Sequence, residues 1–542
     1  MRSASRAWRE IAVVVLVSAA AAVALTFPLA ARLGRIARDD ADGRFSIWNV
    51  AWVAHALTTD PAHVFDANIF YPHTGTLAYS ENNLGAGVLA IPVYVLTKNP
   101  YAAHNAVVLL AFVLAASGMY YLVRYLVGDR RAASVSAIGF AFCPYVFAHM
   151  AHIQLLMTAG LPFSMLAFHR LADRPSALRG VALGAIMAAQ ALSCGYYGVF
   201  VVLMVAYASV VTAAARGIWT DRRYLSALAV AALVSVAIVA PAFMPYLALE
   251  KVGFNRDLAS ARFYAPNLSA YLASSSYAHA WMLDIIPRWR NEVAFPGFVL
   301  TVFGVAGVWV ARSTRRSELL AIYGGLTVLT FWASFGPAAG LYTVLYDTVP
   351  GFGLLRAPGR FCVVVALGLA VFAGVAVARL LERVPRATAI GCGLALLTAM
   401  ELKVPLNLPE AQPVETVYRV LATLPRGAVI EMPFFYPAVG LFQHTKYMVA
   451  STTHWMPLVN GYSDYIPPDF YDHVMTLAPF PSRDGFKVLE PGRVRYAVFH
   501  LYGYNDENRR DVVARLEQFA PYLRPLYQDE ATRLYEIVGF PP

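Results

Sequence analysis

The chain has 542 residues, 58% of them hydrophobic and 14% charged, and carries a net charge of +10. A soluble globular chain is about 25% charged, so this composition excludes an ordinary soluble domain and points to a protein that faces lipid over much of its length. The positive balance does not mark a nucleic-acid binder, because its placement is topological.

A helix that crosses a bilayer needs about 20 apolar residues. Eleven stretches are expected to do so: 11–31, 101–123, 132–148, 153–169, 180–194, 196–214, 225–246, 294–311, 319–335, 361–378 and 387–404. The first exceeds the about 7–15 residues of a signal-peptide core and is read as an uncleaved helix. Six hydrophilic turns each hold three Arg: Arg2, Arg6, Arg9; Arg124, Arg130, Arg131; Arg170, Arg174, Arg179; Arg216, Arg222, Arg223; Arg312, Arg315, Arg316; and Arg379, Arg383, Arg386. They recur at every other turn. Basic residues in short loops stay cytoplasmic during insertion, so the N-terminus is expected inside and the intervening loops outside. These clusters hold 18 Arg against six acids, while the remainder holds 25 bases and 27 acids. The outward side is therefore slightly acidic.

The expected architecture is an all-α polytopic membrane domain, residues 1–404, followed by an extracytoplasmic α/β domain, residues 405–542. The outward loops are 32–100, 247–293 and 336–360. In the tail, Ala428-Val429-Ile430 and Tyr496-Ala497-Val498-Phe499 are β-like, and 414–424 and 508–519 are helix-like. Phe45, Trp48, Trp52 and His55 follow a helical spacing, and Trp favours the membrane interface. That segment is expected to lie flat on the outer leaflet. The apolar stretch 84–96 is too short to span comfortably and reads as interfacial or re-entrant. The four cysteines all lie in or beside spans, so no disulfide framework is expected.

Candidate chemistry lies on the outward side. Asp39, Asp40 and Asp42 crowd the end of the first span. Crowded carboxylates beside a low-dielectric surface have raised pKa values, which suits a general base; a solvated acidic turn has the same sequence. Arg356 and Arg360 lie outside, against the positive-inside trend, and Arg forks suit phosphate; the alternative is pairing with acids such as Asp347. Glu81 precedes 84–96 and either orients substrate or caps that helix. Tyr196 and Tyr197 fit an aromatic belt better than a stacking role. His454, Trp455, Asn460, Tyr462 and Asp464 fit either sugar contact or a buried loop. His149 and His152 stand three apart with no third ligand nearby, so no metal site is expected.

Asp42 with Trp48-Asn49-Val50-Ala51-Trp52, Phe65-Asp66-Ala67-Asn68-Ile69-Phe70-Tyr71-Pro72, Tyr79-Ser80-Glu81-Asn82-Asn83-Leu84-Gly85, and Leu355-Arg356-Ala357-Pro358-Gly359-Arg360-Phe361 resemble bacterial glycosyltransferase-like membrane proteins. The layout over most of the chain is similar to the GT-C glycosyltransferase superfamily. The resemblance implies an inner-membrane enzyme that moves a sugar from a polyprenyl-phosphate donor to an extracytoplasmic glycan, lipid or protein acceptor, with inversion. It implies Asp42 as the base, with Asp40 as rival or support. Many such enzymes carry a second acid where the third span meets the fourth. Here that turn reads His149-Met150-Ala151-His152-Ile153-Gln154. Either His152 and Gln154 hold substrate there, or the protein is a non-catalytic component of polysaccharide assembly or lipid-linked glycan transport.

No Walker A, GxGxxG or GxSxG motif occurs, so ATP-driven, dinucleotide and hydrolase chemistry lack sequence support. Ionisable residues are scarce in the spans, whereas ion-coupled transporters keep some at mid-membrane.

Overall fold

A computed structural model describes residues 2–251, 256–285, 293–349 and 351–542; parts of the outward loop 247–293 and residue 350 of the loop 336–360 lie outside the described residues. In chain order the helices are α1 Arg2–Leu25, α2 Ala41–Thr59, α3 Leu84–Thr97, α4 Pro100–Val127, α5 Arg130–Ala141, α6 Pro144–Ala148, α7 Ile153–Leu156, α8 Gly160–Asp173, α9 Ala177–Ser193, α10 Gly195–Arg216, α11 Arg222–Lys251, α12 Leu258–Phe263, α13 Ala280–Ile285, α14 Phe298–Ser313, α15 Ser317–Leu319, α16 Gly325–Ser334, α17 Leu341–Thr348, α18 Cys362–Leu381, α19 Ala387–Glu401, α20 Thr416–Leu421, α21 Thr445–Ser451, α22 Pro468–Leu477, α23 Arg483–Leu489 and α24 Asp506–Gln518. The strands are β1 Val429–Met432, β2 Tyr496–His500, β3 Leu523–Gln528 and β4 Thr532–Ile537.

Among the described residues, seven helical stretches are long and apolar enough to cross a membrane: Arg6–Leu25, Pro100–Val127, Arg130–Ala148, Ile153–Asp173, Gly195–Arg216, Arg222–Leu249 and Pro358–Leu381. α3, α9, α14 and α19 are apolar but shorter. The expected span 319–335 is helical but runs through a π-helical turn, Leu320–Gly324. Wider turns misalign a backbone carbonyl, and the Tyr207 hydroxyl of α10 donates to Ala321 O at 3.0 Å there.

The chain packs as two compact units. One comprises 1–32 and 105–407; the other comprises 33–104 and 408–542. The first outward loop thus belongs to the same unit as the C-terminal segment.

In the membrane unit, local sequence explains the breaks and the close contacts. Residues before proline are pushed out of the helical region. Cys143, before Pro144, is extended, and Pro144 restarts the chain as the first residue of α6. Gly180 and Gly184, four apart on α9, face α11, and a Cβ on either would run into the carbonyls of Ala227 and Ala231. Small residues at that spacing let helices approach backbone to backbone.

The Arg-rich turns come together at one end of this unit. Glu10 pairs with Arg124 at 3.4 Å and Arg130 at 2.6 Å. Tyr125 donates to Asp173. Arg216 bridges Asp173 at 2.9 Å and Glu318 at 2.7 Å, and Arg316 donates to Leu126 O at 3.3 Å. Five of the six clusters are cross-linked this way. The intervening turns contact one another instead: the Tyr197 hydroxyl donates to Leu155 O at 3.2 Å, the Arg356 N–H to the Tyr196 hydroxyl at 3.0 Å, and the Tyr346 hydroxyl to Arg256 O at 2.8 Å.

The second unit is built on a four-stranded sheet of order β1-β2-β4-β3. β1 and β2 are parallel; β4 pairs antiparallel with β2 and β3. β1 and β2 are buried throughout, as a covered parallel pair requires. Val417, Tyr418, Leu421, Tyr447, Met456 and Leu458 pack with β1, β2 and β4 as the core. β3 carries Pro525, which a terminal strand tolerates.

Residues 33–104 are stitched to this sheet by backbone. Val459 N–H donates to Val429 O at 2.9 Å and Val429 N–H to Pro457 O at 2.8 Å. The 457–460 segment in turn receives Phe70 and Tyr71, whose N–H groups donate to Asn460 O and Leu458 O. Asn68 adds side-chain bonds to Ser451 and Met456 and accepts from Trp48 Nε1 at 3.0 Å. Asn68, Phe70 and Tyr71, in the stretch Phe65 to Pro72, therefore serve architecture.

The helix expected at Phe45–His55 exists as part of α2, but its aromatic face is not laid on a leaflet. Trp48 is 1% exposed. Trp52 Nε1 donates to Val64 O at 2.9 Å, and His55 stacks on Trp455 with ring centres 4.7 Å apart. A Trp stripe that suits an interface suits a protein core equally well.

Candidate active site

In the membrane unit, the chain leaves α17, passes Phe352 and Leu355, and enters α18. Tyr342 pins this loop: its hydroxyl donates to Leu355 O at 2.7 Å and its ring lies 5.1 Å from Phe352. Phe361 stacks on Phe200 of α10 at 4.1 Å. Between these anchors stand Arg356 and Arg360, both half-buried. The Arg360 guanidinium carbon lies 3.7 Å from the centre of the Tyr196 ring, and that of Arg356 lies 5.2 Å from the Tyr264 ring. A tyrosine face attracts a cation and is most effective where water is thin. Stacking uses the flat face of a guanidinium, while its N–H fork lies in the plane. The loop sits at the start of α18, and Arg379 sits in its last turn. Twenty helical residues make about 30 Å, so this pair stands a membrane's thickness from that Arg-rich turn.

Tyr196 and Tyr197 are 7% and 0% exposed. They support the turns of this unit and do not form a lipid-facing belt. Sequence offered one signal for Tyr196, its place at an outward turn; its partners lie 160 positions away.

His152 and Gln154 lie in the turn before and within α7. His152 has no side-chain bond to that helix start, and Gln154 is buried within it. His149 Nδ1 lies 2.8 Å from Tyr145 O and the two rings are 4.4 Å apart. Among the described residues no group of three or more His, Cys, Asp or Glu is placed to hold a metal ion.

The membrane unit also contains a Ser-His-Glu series. Ser274 Oγ lies 2.7 Å from His279 Nδ1, and His279 Nε2 lies 2.9 Å from Glu401 Oε1. The residue types are those of a hydrolytic triad, but the two ring nitrogens are exchanged relative to the usual arrangement, and Ser274 and His279 are buried from solvent. Glu401 also accepts from the N–H groups of Phe298 and Val299, so it caps α14, where a carboxylate complements the helix dipole. The series is a structural pin.

In the second unit, the acidic turn resolves into distinct tasks. Asp40 is the N-cap of α2: its Oδ1 accepts from Gly43 N–H at 2.7 Å, and its Oδ2 takes Arg38 Nε at 2.7 Å. Asp39 pairs with Arg44 at 3.0 Å. The crowding seen in sequence is thus answered by two arginines. Asp42 follows in the first turn of α2 and is exposed. Glu81 accepts from Asn49 Nδ2 through its main-chain oxygen at 3.1 Å. The side-chain oxygen at the start of α3 comes from Asn82, which accepts from Leu84 N–H at 3.0 Å.

The tail residues expected as sugar contacts divide. Asn460 Oδ1 accepts from Glu431 N–H at 2.7 Å and its Nδ2 donates to Glu431 O at 2.9 Å. Trp455 Nε1 donates to the Tyr94 hydroxyl at 2.9 Å. His454 is held neutral by burial, its pKa lowered to about 3. These three lock a buried loop. Asp464 accepts from Ser80 at 3.2 Å.

A buried charged group that sequence reading missed lies at the carboxyl ends of β1 and β2. His500 Nε2 is 2.8 Å from Glu431 Oε2, and its Nδ1 is 3.3 Å from Glu415 Oε2. Glu431 is fully buried. Burial alone would lower the His500 pKa, but hydrogen bonding to Glu415 and Glu431 outweighs it and holds the value up at about 9. Burial raises the Glu431 carboxyl above its usual range, and His500 opposes that. Tyr447 stacks on His500 with ring centres 5.3 Å apart. The two partners of His500 stand 69 and 85 positions away in the chain, which no local pattern reveals.

No protein-family model and no curated protein matches the chain. Among solved structures, an archaeal oligosaccharyltransferase AglB from Archaeoglobus fulgidus, in complex with an inhibitory peptide and a dolichol-phosphate, matches at 15% identity and TM-score 0.45, over 96% of this chain and 73% of that one. ArnT from Cupriavidus metallidurans matches in its apo state at 14% identity and TM-score 0.44, over 98% of both chains. The same protein bound to undecaprenyl phosphate matches at 16% and 0.43, over 96% and 97%. At these identities and TM-scores the likenesses stand as observations, and the chemistry must come from the chain's own residues.

Proposed function

We propose that this protein is an integral membrane glycosyltransferase of GT-C type, which moves a sugar from a polyprenyl-phosphate donor to an extracytoplasmic glycan, lipid or protein acceptor. The observation that carries the reading is the pair Arg356 and Arg360, seated on tyrosine faces at the end of α18 remote from Arg379. Paired guanidinium forks suit a phosphate, and the headgroup of a polyprenyl phosphate lies at the membrane surface. Basic residues in short loops favour the cytoplasmic side, and the Arg-rich turns at the other end support an extracytoplasmic position for this pair in a bacterial inner membrane.

In this reading the acceptor hydroxyl oxygen attacks the anomeric carbon as Asp42 takes its proton. The bond from that carbon to the phosphate oxygen breaks, and its electron pair leaves with the polyprenyl phosphate. Attack opposite the leaving group inverts the configuration. Arg356 and Arg360 stabilise the charge that grows on the phosphate. Asp40, as the cap of α2, positions Asp42. Glu81, His152 and Gln154 remain candidates for holding sugar or acceptor hydroxyls. The sugar, and any divalent cation the reaction uses, are open to assignment.

The alternative reading is a non-catalytic protein of polysaccharide assembly or lipid-linked glycan transport. It draws on one observation: the acidic turn is partly consumed by a helix cap and two ion pairs. Mass spectrometry of lipid that co-purifies with the detergent-solubilised full-length protein tests what the readings share. Wild-type protein is expected to carry polyprenyl phosphate or its sugar-linked form, and the Arg356→Gln/Arg360→Gln variant is expected to lose it. Equal recovery from both would remove the arginines from the site.

A further inference from the structure

We propose that Tyr196 is a positioning residue that sets both arginines for the phosphate of a polyprenyl-phosphate lipid; this rests on the phosphate-binding reading of Arg356 and Arg360. One side chain makes two different contacts with one loop. Its ring carries the Arg360 guanidinium, with the central carbon 3.7 Å away. Its hydroxyl accepts the main-chain N–H of Arg356 at 3.0 Å. The ring therefore orients one fork, and the hydroxyl fixes the backbone from which the other fork projects.

The platform is itself rigid. Tyr196 lies in the first turn of α10 and is 7% exposed. Its neighbour Tyr197 is buried and bonded to Leu155 O at 3.2 Å. Four residues on, Phe200 stacks on Phe361 at the far end of the arginine loop. α10 thus grips the loop at three points: Arg356, Arg360 and Phe361. Among its described residues the loop has two short helical turns of its own, Phe352–Leu354 and Pro358–Phe361. Unsupported arginines on such a segment would sample many rotamers, and binding a phosphate would have to order them. Preorganisation by a rigid neighbour removes that cost from the binding step.

The test uses the full-length protein in detergent, with undecaprenyl phosphate as the probe and the uncharged polyprenol of equal length as control. Loss of a partly desolvated cation–π contact is expected to weaken phosphate-lipid binding by about 2- to 30-fold in Tyr196→Leu. Tyr196→Phe keeps the ring under Arg360 and drops the hydroxyl that holds Arg356, so it is expected to recover only part of that loss. Polyprenol binding is expected to be unchanged in both, while the lipid-free melting temperature falls in both because the Arg356 N–H loses its acceptor. If Tyr196→Leu binds undecaprenyl phosphate like wild type while Arg360→Gln does not, the positioning role fails and the clamp stands. If Arg356→Gln and Arg360→Gln also bind like wild type, both ideas fail. If Tyr196→Leu weakens phosphate lipid and polyprenol alike, Tyr196 is only structural and the proposal is overturned.

Discussion

Arg356 and Arg360 are the residues on which the proposed chemistry depends most. A charge-assisted hydrogen bond is worth roughly 1.5–3 kcal/mol, so replacing either arginine by Gln is expected to weaken donor binding about 10- to 150-fold. Lys should restore only part, because it keeps the charge and loses the fork. A titration of polyprenyl phosphate against each variant reads this directly, and a drop in melting temperature without loss of affinity would indicate a structural role instead. The acidic turn gives a second contrast. Asp42→Asn should lower transfer about 10²–10⁴-fold, the usual range for a general base, with the fold intact. Asp40→Asn keeps a capping side chain and loses the charge that pairs with Arg38. Asp40→Ala should lose about 1 kcal/mol of stability, as a missing cap does. Both arginines stood out in the sequence because basic residues in a loop expected outside oppose the topological trend. Their tyrosine seats were not, because nothing in a linear pattern joins position 196 to position 360.

At the scale of elements, the hydrophobic stretches showed where helices form but not what their faces meet. α2 is a case in point: its aromatic spacing fitted a leaflet, and its partners turned out to be Asn68, Val64 and Trp455. The hairpin of β3 and β4 left little trace, since β3 is only partly buried and interrupted by Pro525. The role of Asn68 as a stitch can be tested. Asn68→Ala removes bonds to Ser451, Met456 O and Trp48, and each buried group left unpaired costs about 1–3 kcal/mol. Limited proteolysis is expected to cut residues 33–104 faster in this variant, and an unchanged cleavage rate would argue against the stitch. His500 makes a pH-dependent prediction. Its folded pKa of about 9 exceeds the ordinary 6.5, so its stabilisation is complete below pH 6.5 and disappears as pH rises through 9. The shift corresponds to roughly 3 kcal/mol. Chemical denaturation of the full-length protein should show that loss between pH 6.5 and 9, and His500→Gln should be weaker at pH 6 and flat across the window. A wild-type profile flat over the same range would contradict the buried ion pair.

For the whole molecule, the apolar stretches between Arg-rich and Arg-poor turns pointed to a mostly helical chain with several apolar helices, which the structure has. The Arg-rich turns bond to one another through Glu10, Asp173, Arg216 and Glu318, which agrees with the expectation that they share one side of a membrane. That the first outward loop packs with the C-terminal sheet was not legible, because the stitch uses backbone groups common to any sequence. Topology can be measured by cysteine labelling in a background in which the exposed Cys392 is replaced by Ser. Arg130→Cys and Arg315→Cys are expected to react only after the membrane is opened, and Glu507→Cys in intact cells; labelling of Arg130→Cys in intact cells would place the arginine loop on the wrong side. The central claim is sugar transfer from a polyprenyl-phosphate donor, and one measurement addresses it most directly. Membranes holding wild-type protein, Asp42→Asn protein or neither are incubated with a lipid-linked sugar pool, and release of free polyprenyl phosphate is followed by mass spectrometry. Wild-type membranes are expected to convert the sugar-linked lipid at least about 100-fold faster than Asp42→Asn membranes, and the latter to approach the blank. Equal conversion in wild-type and blank membranes across the pool, with the lipid bound but unconsumed, would contradict the enzyme and leave the transport reading in its place.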